Sequence, residues 1–325
     1  MNAVESTEIS IGGNVPSRPP EGPSVSLFPA TELGGHGGAQ SKSSSAIKFL
    51  VLGPTEARQA GQAIALSGAR RRALVTRLLV NAGRSISVDS LLEDVWDGHA
   101  PPAALATLQS HISQLRKVLG DRLQKSTTGY ILRLDAASVD AAEFEGRVAE
   151  GASQLALGDV AAATSELRVA LRLWRGGALQ DVADRPWAMP EAERLEELRR
   201  MAVEQLLEAR LALGEHEQVV PEAGAAVEEH PFRERRWATL MLALYRSGRQ
   251  AEALRAYQRL RFVLREELGI NPSPPLAALE VAVLRQDPAL QATGGHSSLT
   301  AVTAIQPIRR PVRSPFDWSG NRSER

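Results

Sequence analysis

The sequence predicts a mainly α-helical protein: a winged helix-turn-helix, with three helices, small β-sheets and a wing hairpin, followed by an all-α, tetratricopeptide-like region. Two patterns carry this prediction. Residues 46–135 follow the order strand, helix, helix, helix, hairpin, which is that of a winged helix. Farther along, Gly214 and Gly248 lie 34 residues apart, each after an apolar helix end, and this spacing is the tetratricopeptide period.

Composition divides the chain into four segments. Residues 1–45 and 291–325 are rich in Pro, Gly and Ser and show neither apolar period, so we expect a disordered leader and a disordered tail. The winged helix is expected over residues 46–135 and the helical domain over residues 136–290. The first of these holds 12 Lys/Arg and 7 Asp/Glu, whereas residues 136–287 hold 19 and 25. A basic module joined to an acidic one is expected if only the first touches phosphate.

Short runs rich in β-formers predict the strands of the winged helix. The first is Ile47–Leu52, stopped by a Gly-Pro pair, and a second short strand is expected at Ile64–Leu66. In Lys125–Leu134, apolar side chains alternate after Ser126-Thr127-Thr128-Gly129. This last pattern is typical of a β-hairpin with an exposed tip.

Apolar positions at helical spacing predict the three helices. The first starts at Ala69 and stops at Gly83, and Ser87 is a suitable N-cap for a second that ends at Asp97. A third is expected from Pro102, which suits a first helical turn. Its inward stripe would consist of Leu105, Leu108, Ile112, Leu115 and Leu119.

The opposite side of the third helix is the candidate reader of DNA, because it carries polar groups that can approach base edges in a major groove. These are Thr107, Ser110, His111 and Gln114. Arg116 and Lys117 lie near its C-terminal end, where cations can contact phosphates. Thr127 and Thr128 at the hairpin tip would form the wing. Any amphipathic helix shows such a face, so the order of elements around it carries the interpretation.

The helical region fits three helix pairs. Gly158 matches the frame of Gly214 and Gly248, although it precedes Gly214 by 56 residues rather than 34. We therefore expect an insertion of about 22 residues, roughly Arg175 to Trp187, between the first and second pairs. Stacked helix pairs of this kind present extended concave surfaces.

Several classes of protein are not favoured. The chain has no cysteine, which rules out disulfides and thiolate chemistry, and no apolar run long enough to span a bilayer. The N-terminus lacks the apolar core of a secretory signal, so we expect a cytoplasmic protein without membrane contact. Neither a P-loop nor a His-Glu-x-x-His motif occurs, and the six histidines are scattered. We therefore expect no cofactor, no metal and no enzymatic activity.

A set of short motifs resembles the Streptomyces antibiotic regulatory protein family of actinobacterial activators. Each motif alone is weak evidence for this resemblance, and together they cover about residues 47–290. They are Val51–Pro54, Val95-Trp96, Thr107–Ile112 with Leu115-Arg116, Gly129–Leu132, Val139–Ala141 with Phe144-Glu145, and Leu268–Ser273.

The resemblance implies an OmpR-type winged helix joined to a bacterial transcriptional activation domain. Such a protein binds direct repeats in promoter DNA and recruits RNA polymerase holoenzyme, usually for a secondary-metabolite gene cluster. In that family the loop between helices two and three contacts the polymerase, and here it consists of Asp97, Gly98, His99, Ala100 and Pro101. We expect a homodimer, or a side-by-side pair, on repeats spaced by about one turn of DNA.

One alternative belongs to a different class. A tetratricopeptide adaptor would bind a peptide or a partner protein, with the basic module serving only as packing. Specific DNA binding by residues 46–135 alone would favour the DNA-binding activator over the adaptor.

Overall fold

The computed structural model describes residues 47–135 and 138–291. The expected leader, residues 1–45, and all but the first residue of the expected tail lie outside these ranges. None of the helices in the described part is long and apolar enough to cross a membrane.

The first part of the chain is a winged helix, as predicted. Its strands form two antiparallel three-stranded sheets, ordered β1-β2-β3 and β4-β6-β5. The elements are β1 Ile47–Leu50, β2 Glu56–Gln59, β3 Gln62–Ile64, α1 Ala69–Val80, β4 Ser85–Ser87, α2 Val88–Trp96, α3 Ala104–Leu119, β5 Leu123–Lys125 and β6 Gly129–Leu132.

Two strands were absent from the prediction. β2 pairs with both β1 and β3, yet Ala57 is its only buried residue, so its sequence shows no apolar alternation. β4 is similar, with Ile86 buried between two serines, and it pairs with β6 of the wing. The first predicted strand was also too long, since β1 stops at Leu50. Short polar strands such as these form through backbone pairing, which side-chain patterns do not report.

The helices lie where the apolar spacing predicts them, with one correction. Ser87 caps α2 as expected, its hydroxyl accepting a hydrogen bond of 3.0 Å from the Ser90 amide. The third helix, however, starts at Ala104 rather than Pro102. Ala104 takes the inward position one turn before Leu108, and the predicted core residue Leu105 is therefore 45% exposed. Successive helical residues turn by about 100°, and here Ala104 rather than Leu105 lies in line with Leu108 and Ile112.

Gly129, at the start of β6, lies against the backbone of β4. A Cβ atom there would stand 1.7 Å from the carbonyl oxygen of Ile86.

We expect Gly129→Ala to lower the free energy of unfolding by about 1–3 kcal/mol, because the neighbouring backbone must move. Urea denaturation followed by circular dichroism measures this. Gly146→Ala in the fourth helix is the matched control, since nothing lies within 4 Å of its Cβ position, and it should raise stability slightly. Equal effects of the two changes would contradict the prediction.

The second part of the described chain is helical, as predicted. Its helices are α4 Asp140–Leu157, α5 Val160–Leu171, α6 Met189–Ala212, α7 His216–Glu229, α8 Glu234–Arg246, α9 Gln250–Leu268 and α10 Pro274–Leu284. The first six form the three expected pairs. Gly158, Gly214 and Gly248 each follow the first helix of a pair with positive φ of 85°, 87° and 75°. Glycine is favoured there because it has no Cβ to clash.

Within residues 47–135 and 138–291, the hydrophobic interior consists of two clusters. One combines the core of the winged helix with α4, α5, the insertion and α6 as far as Leu206, and the other runs from Leu207 through α10 to Leu290. The expected domain boundary at residues 135–136 stays a prediction, but the apolar interior of the winged helix continues across it. The division between the clusters falls within α6.

Asp140, the first residue of α4, joins the two parts. Its carboxylate is 1% exposed and accepts hydrogen bonds of 2.7 Å from the Val51 amide and 3.2 Å from the Leu52 amide. Burial raises the pKa of this carboxyl, while the two amides and Arg175, 3.6 Å away, act in the opposite direction. The insertion adds backbone bonds to the same stretch, from the Arg175 amide to the Leu52 carbonyl and from the Leu179 amide to the Val51 carbonyl.

Candidate nucleic-acid interface

The solvent face of α3 is the candidate recognition surface. Ala104, Leu108, Ile112, Leu115 and Leu119 turn inward as one stripe. At about 100° per residue, the positions most nearly opposite this stripe are Ala106, Ser110 and Lys117, and all three are exposed. The predicted set lacks Ala106 and two other exposed residues of this side, Gln109 and Ser113. The helical period would have found Ala106 and Ser113, because both lie within about 40° of the point opposite the stripe.

Three of the predicted base-reading residues lie on the side of α3 that faces α1. The Thr107 hydroxyl donates to the Ala103 carbonyl at 3.1 Å. Gln114 accepts a hydrogen bond from the guanidinium of Arg71. His111 is half-buried, and burial together with Arg71 and then Arg70 lowers its pKa, which favours the neutral imidazole. These side chains are less free to meet a ligand than Ser110 and Lys117.

Arg116 links α3 to the wing. Its Nε donates to the Leu123 carbonyl at 3.1 Å, and its guanidinium lies 5.3 Å from the centre of the Tyr130 ring. This geometry gives Arg116 a structural role between helix and hairpin. The phosphate contact expected of it stays a prediction, as does that of the exposed Lys117.

The wing tip is held by its own hydroxyl and backbone groups. Ser126 accepts from the Gly129 amide at 3.0 Å through its hydroxyl, and its own amide donates to the Gly129 carbonyl at 2.9 Å. The Thr128 carbonyl accepts from the Val88 amide at 3.1 Å, so the tip lies beside the start of α2. Thr127 and Thr128 expose their side chains, and their expected contacts with DNA stay a prediction.

The loop between α2 and α3 projects into solvent. Asp97, Gly98, His99, Ala100 and Pro101 are all exposed. Asp97 ends α2 in a left-handed conformation with φ of 57°, and its carbonyl lies 2.7 Å from Nδ1 of His99. The loop therefore has a defined local shape while its side chains stay accessible.

The basic residues of α1 divide into two groups. Arg72 and Arg77 are held by carboxylates, Arg72 by Asp181 at 2.8 Å and Arg77 by Asp94 at 2.5 Å. Arg70 and Arg71 instead contact uncharged groups. Arg70 stacks on the Trp96 ring at 5.6 Å, and Arg71 bonds Gln114. These two cations stand beside the His111 side of α3.

Comparison with known families matches both parts of the chain. Residues 61–133 match the family described as "Transcriptional regulatory protein, C terminal", and residues 139–284 match the "Bacterial transcriptional activator domain". These stretches correspond to most of the winged helix and to α4–α10.

Individual proteins are similar over most of the chain. Regulatory protein DnrI of Streptomyces peucetius is 36% identical over 267 residues, which cover 78% of this chain and 98% of DnrI. Regulatory protein AfsR of Streptomyces griseus is 37% identical over 276 residues, but this chain spans only 28% of its length. Among solved structures, Mycobacterium tuberculosis EmbR in complex with a low affinity phosphopeptide has a TM-score of 0.72 and 33% identity, covering 80% of this chain and 70% of EmbR.

Proposed function

This chain belongs to the Streptomyces antibiotic regulatory protein family of transcriptional activators, and from that premise we propose that it binds direct repeats in promoter DNA and recruits RNA polymerase. Its target would be a secondary-metabolite gene cluster. It acts as a regulator of transcription without chemistry of its own.

The observation that supports DNA binding best is the uncovered polar face of α3. Five inward side chains hold the helix against the core, and the opposite face offers short polar groups and Lys117 to a partner. A helix presented in this way fits a major groove, where hydroxyl and amide groups can reach base edges. Any amphipathic helix has a polar face, so the order of the elements around α3 is what favours this proposal over the adaptor alternative.

Two copies would lie side by side on a direct repeat, each placing one α3 in the groove, so that the repeat spacing equals about one turn of DNA. The exposed loop from Asp97 to Pro101 would contact the polymerase. The acidic helical domain would mediate contacts between proteins, since its charge disfavours phosphate.

Repeat spacing tests this proposal. The full chain is first footprinted on genomic promoter DNA, and the protected repeats are then placed in synthetic duplexes. We expect cooperative binding at the natural spacing and at spacings longer by about 10–11 bp, and loss of cooperativity when about 5 bp are inserted, because the second site then faces the other side of the helix. A duplex with one scrambled repeat is the control. Binding that ignores spacing would contradict the side-by-side arrangement.

A further inference from the structure

A cleft opens between the start of α1, the end of α2 and the first turns of α3. Its volume is about 670 Å³, and its lining includes Gly68, Arg70, Arg71, Trp96, His111 and Arg185. Arg185 comes from the insertion between α5 and α6, so both parts of the chain contribute to it.

The lining is cationic. It contains three arginines and two histidines but a single carboxylate, that of Asp97. The pKa of His111 is lowered first by burial and then by Arg71 and Arg70, and the contribution of these two cations reflects the same positive surroundings. The cleft therefore has the electrostatic character of a site for an anion.

The backbone of α1 adds donors to the same place. This helix has 12 residues, and its N-cap is Gly68, which has no side chain to satisfy the first amides. Amides at a helix N-terminus point outward and carry a partial positive charge, so they favour an anion placed there.

Two side-chain atoms at the cleft need a partner. Nε of Arg71 and Nδ1 of His111 are buried from solvent and make no hydrogen bond within the described residues. Buried polar atoms without partners are costly, which makes a bound oxyanion favourable. Neither atom is accessible in this conformation, so a phosphate oxygen would meet the Arg71 Nε–H and the imidazole once the Arg71 side chain turns toward the cleft.

Two of the cationic groups are held in position. Arg70 lies over the Trp96 ring at 5.6 Å, and Arg185 donates to the Asp94 carbonyl at the end of α2. Groups already ordered lose less conformational entropy when a ligand binds. Arg71 instead bonds Gln114 and would exchange that partner for the ligand.

We propose that this cleft binds a phosphate group, held by Arg71, Arg70, His111 and the first amides of α1. Two sources share this chemistry: a free phosphorylated small molecule and a phosphate of the DNA backbone. Binding would draw Arg71 away from Gln114 and change what α3 presents. That last consequence rests on the proposed function, whereas phosphate binding itself does not.

The test titrates the full chain with inorganic phosphate and with pyrophosphate at constant ionic strength, followed by proton–nitrogen NMR. We expect saturable shifts at the amides of residues 69–71 and at the His111 ring. Arg71→Gln should weaken pyrophosphate binding at least tenfold. Arg71→Lys keeps the positive charge but loses the planar guanidinium with its paired N–H donors, so it should weaken pyrophosphate binding severalfold. Arg255→Gln, at an exposed arginine of α9, is the matched control and should bind as the native chain does.

A competition experiment identifies where the bound phosphate comes from. If the cleft takes a phosphate of the DNA backbone, promoter DNA and pyrophosphate compete for the protein. If it takes a free phosphorylated molecule, the DNA-bound protein still binds pyrophosphate. Shifts that fail to saturate, or that are unchanged in folded Arg71→Lys, overturn the proposal. A chain that binds pyrophosphate but no promoter DNA would instead overturn the proposed function and leave the anion site intact.

Discussion

Replacing Ser110 with glutamate is expected to weaken binding to promoter DNA about hundredfold, or about 2.8 kcal/mol, with little effect on folding. Ser110 is exposed and lies opposite the buried stripe of α3. A carboxylate there would enter the groove between two rows of phosphates, and a juxtaposed like charge costs several kcal/mol. Gel-shift titration at fixed salt measures the change.

Ser165→Glu provides the control for Ser110→Glu. Ser165 is also an exposed serine within a helix, in this case α5 of the acidic domain. It adds the same net charge, so a general electrostatic effect would appear in both variants. Circular dichroism checks that each remains folded. Unchanged affinity in Ser110→Glu would show that this face of α3 does not meet DNA.

Replacing Asp140 with alanine is expected to lower the free energy of unfolding by about 3 kcal/mol. The change leaves the buried amides of Val51 and Leu52 without their acceptor, and each unsatisfied buried group costs about 1–3 kcal/mol. Asp140 connects the end of β1 to the start of α4, so the loss should loosen the joint between the winged helix and the helical domain. Urea denaturation followed by circular dichroism measures the loss.

Asp159→Ala is the matched control for Asp140→Ala. Asp159 also stands at a helix start, where its carboxylate accepts from the Ala162 amide at 2.9 Å, but this site is exposed. Removing an exposed N-cap costs about 1 kcal/mol. If Asp140→Ala costs no more than Asp159→Ala, the buried carboxylate does not stabilise the joint.

The helices could be predicted because a helix that buries one face needs apolar residues at a regular spacing, which the sequence shows. The inward stripe of α3 and the glycines at 158, 214 and 248 are local signals, set by helix geometry and by the need for positive φ. The strands β2 and β4 left no such trace, since their pairing uses backbone groups and buries one side chain each. β4 also pairs with a strand that is distant in sequence, β6.

The candidate site could be predicted only in part. Ser110 and Lys117 follow from the helical period alone, because the side opposite a buried stripe faces solvent. Thr107, His111 and Gln114 lie near the edge of that stripe, and what they meet depends on a second helix. Arg71 reaches Gln114 across 43 residues, and Arg185 reaches the end of α2 across 91. Contacts at such separations have no local pattern.

By itself, the sequence determined the order of elements, the three helix pairs and the basic and acidic character of the two parts, because periodicity and charge are properties of neighbouring residues. Only the tertiary structure decided that Leu105 faces solvent, that one apolar core continues from the winged helix into α6, and that α1 and the insertion close a cationic cleft around His111. These features arise from packing between segments far apart in the chain, where burial and geometry rather than local preference choose the partners.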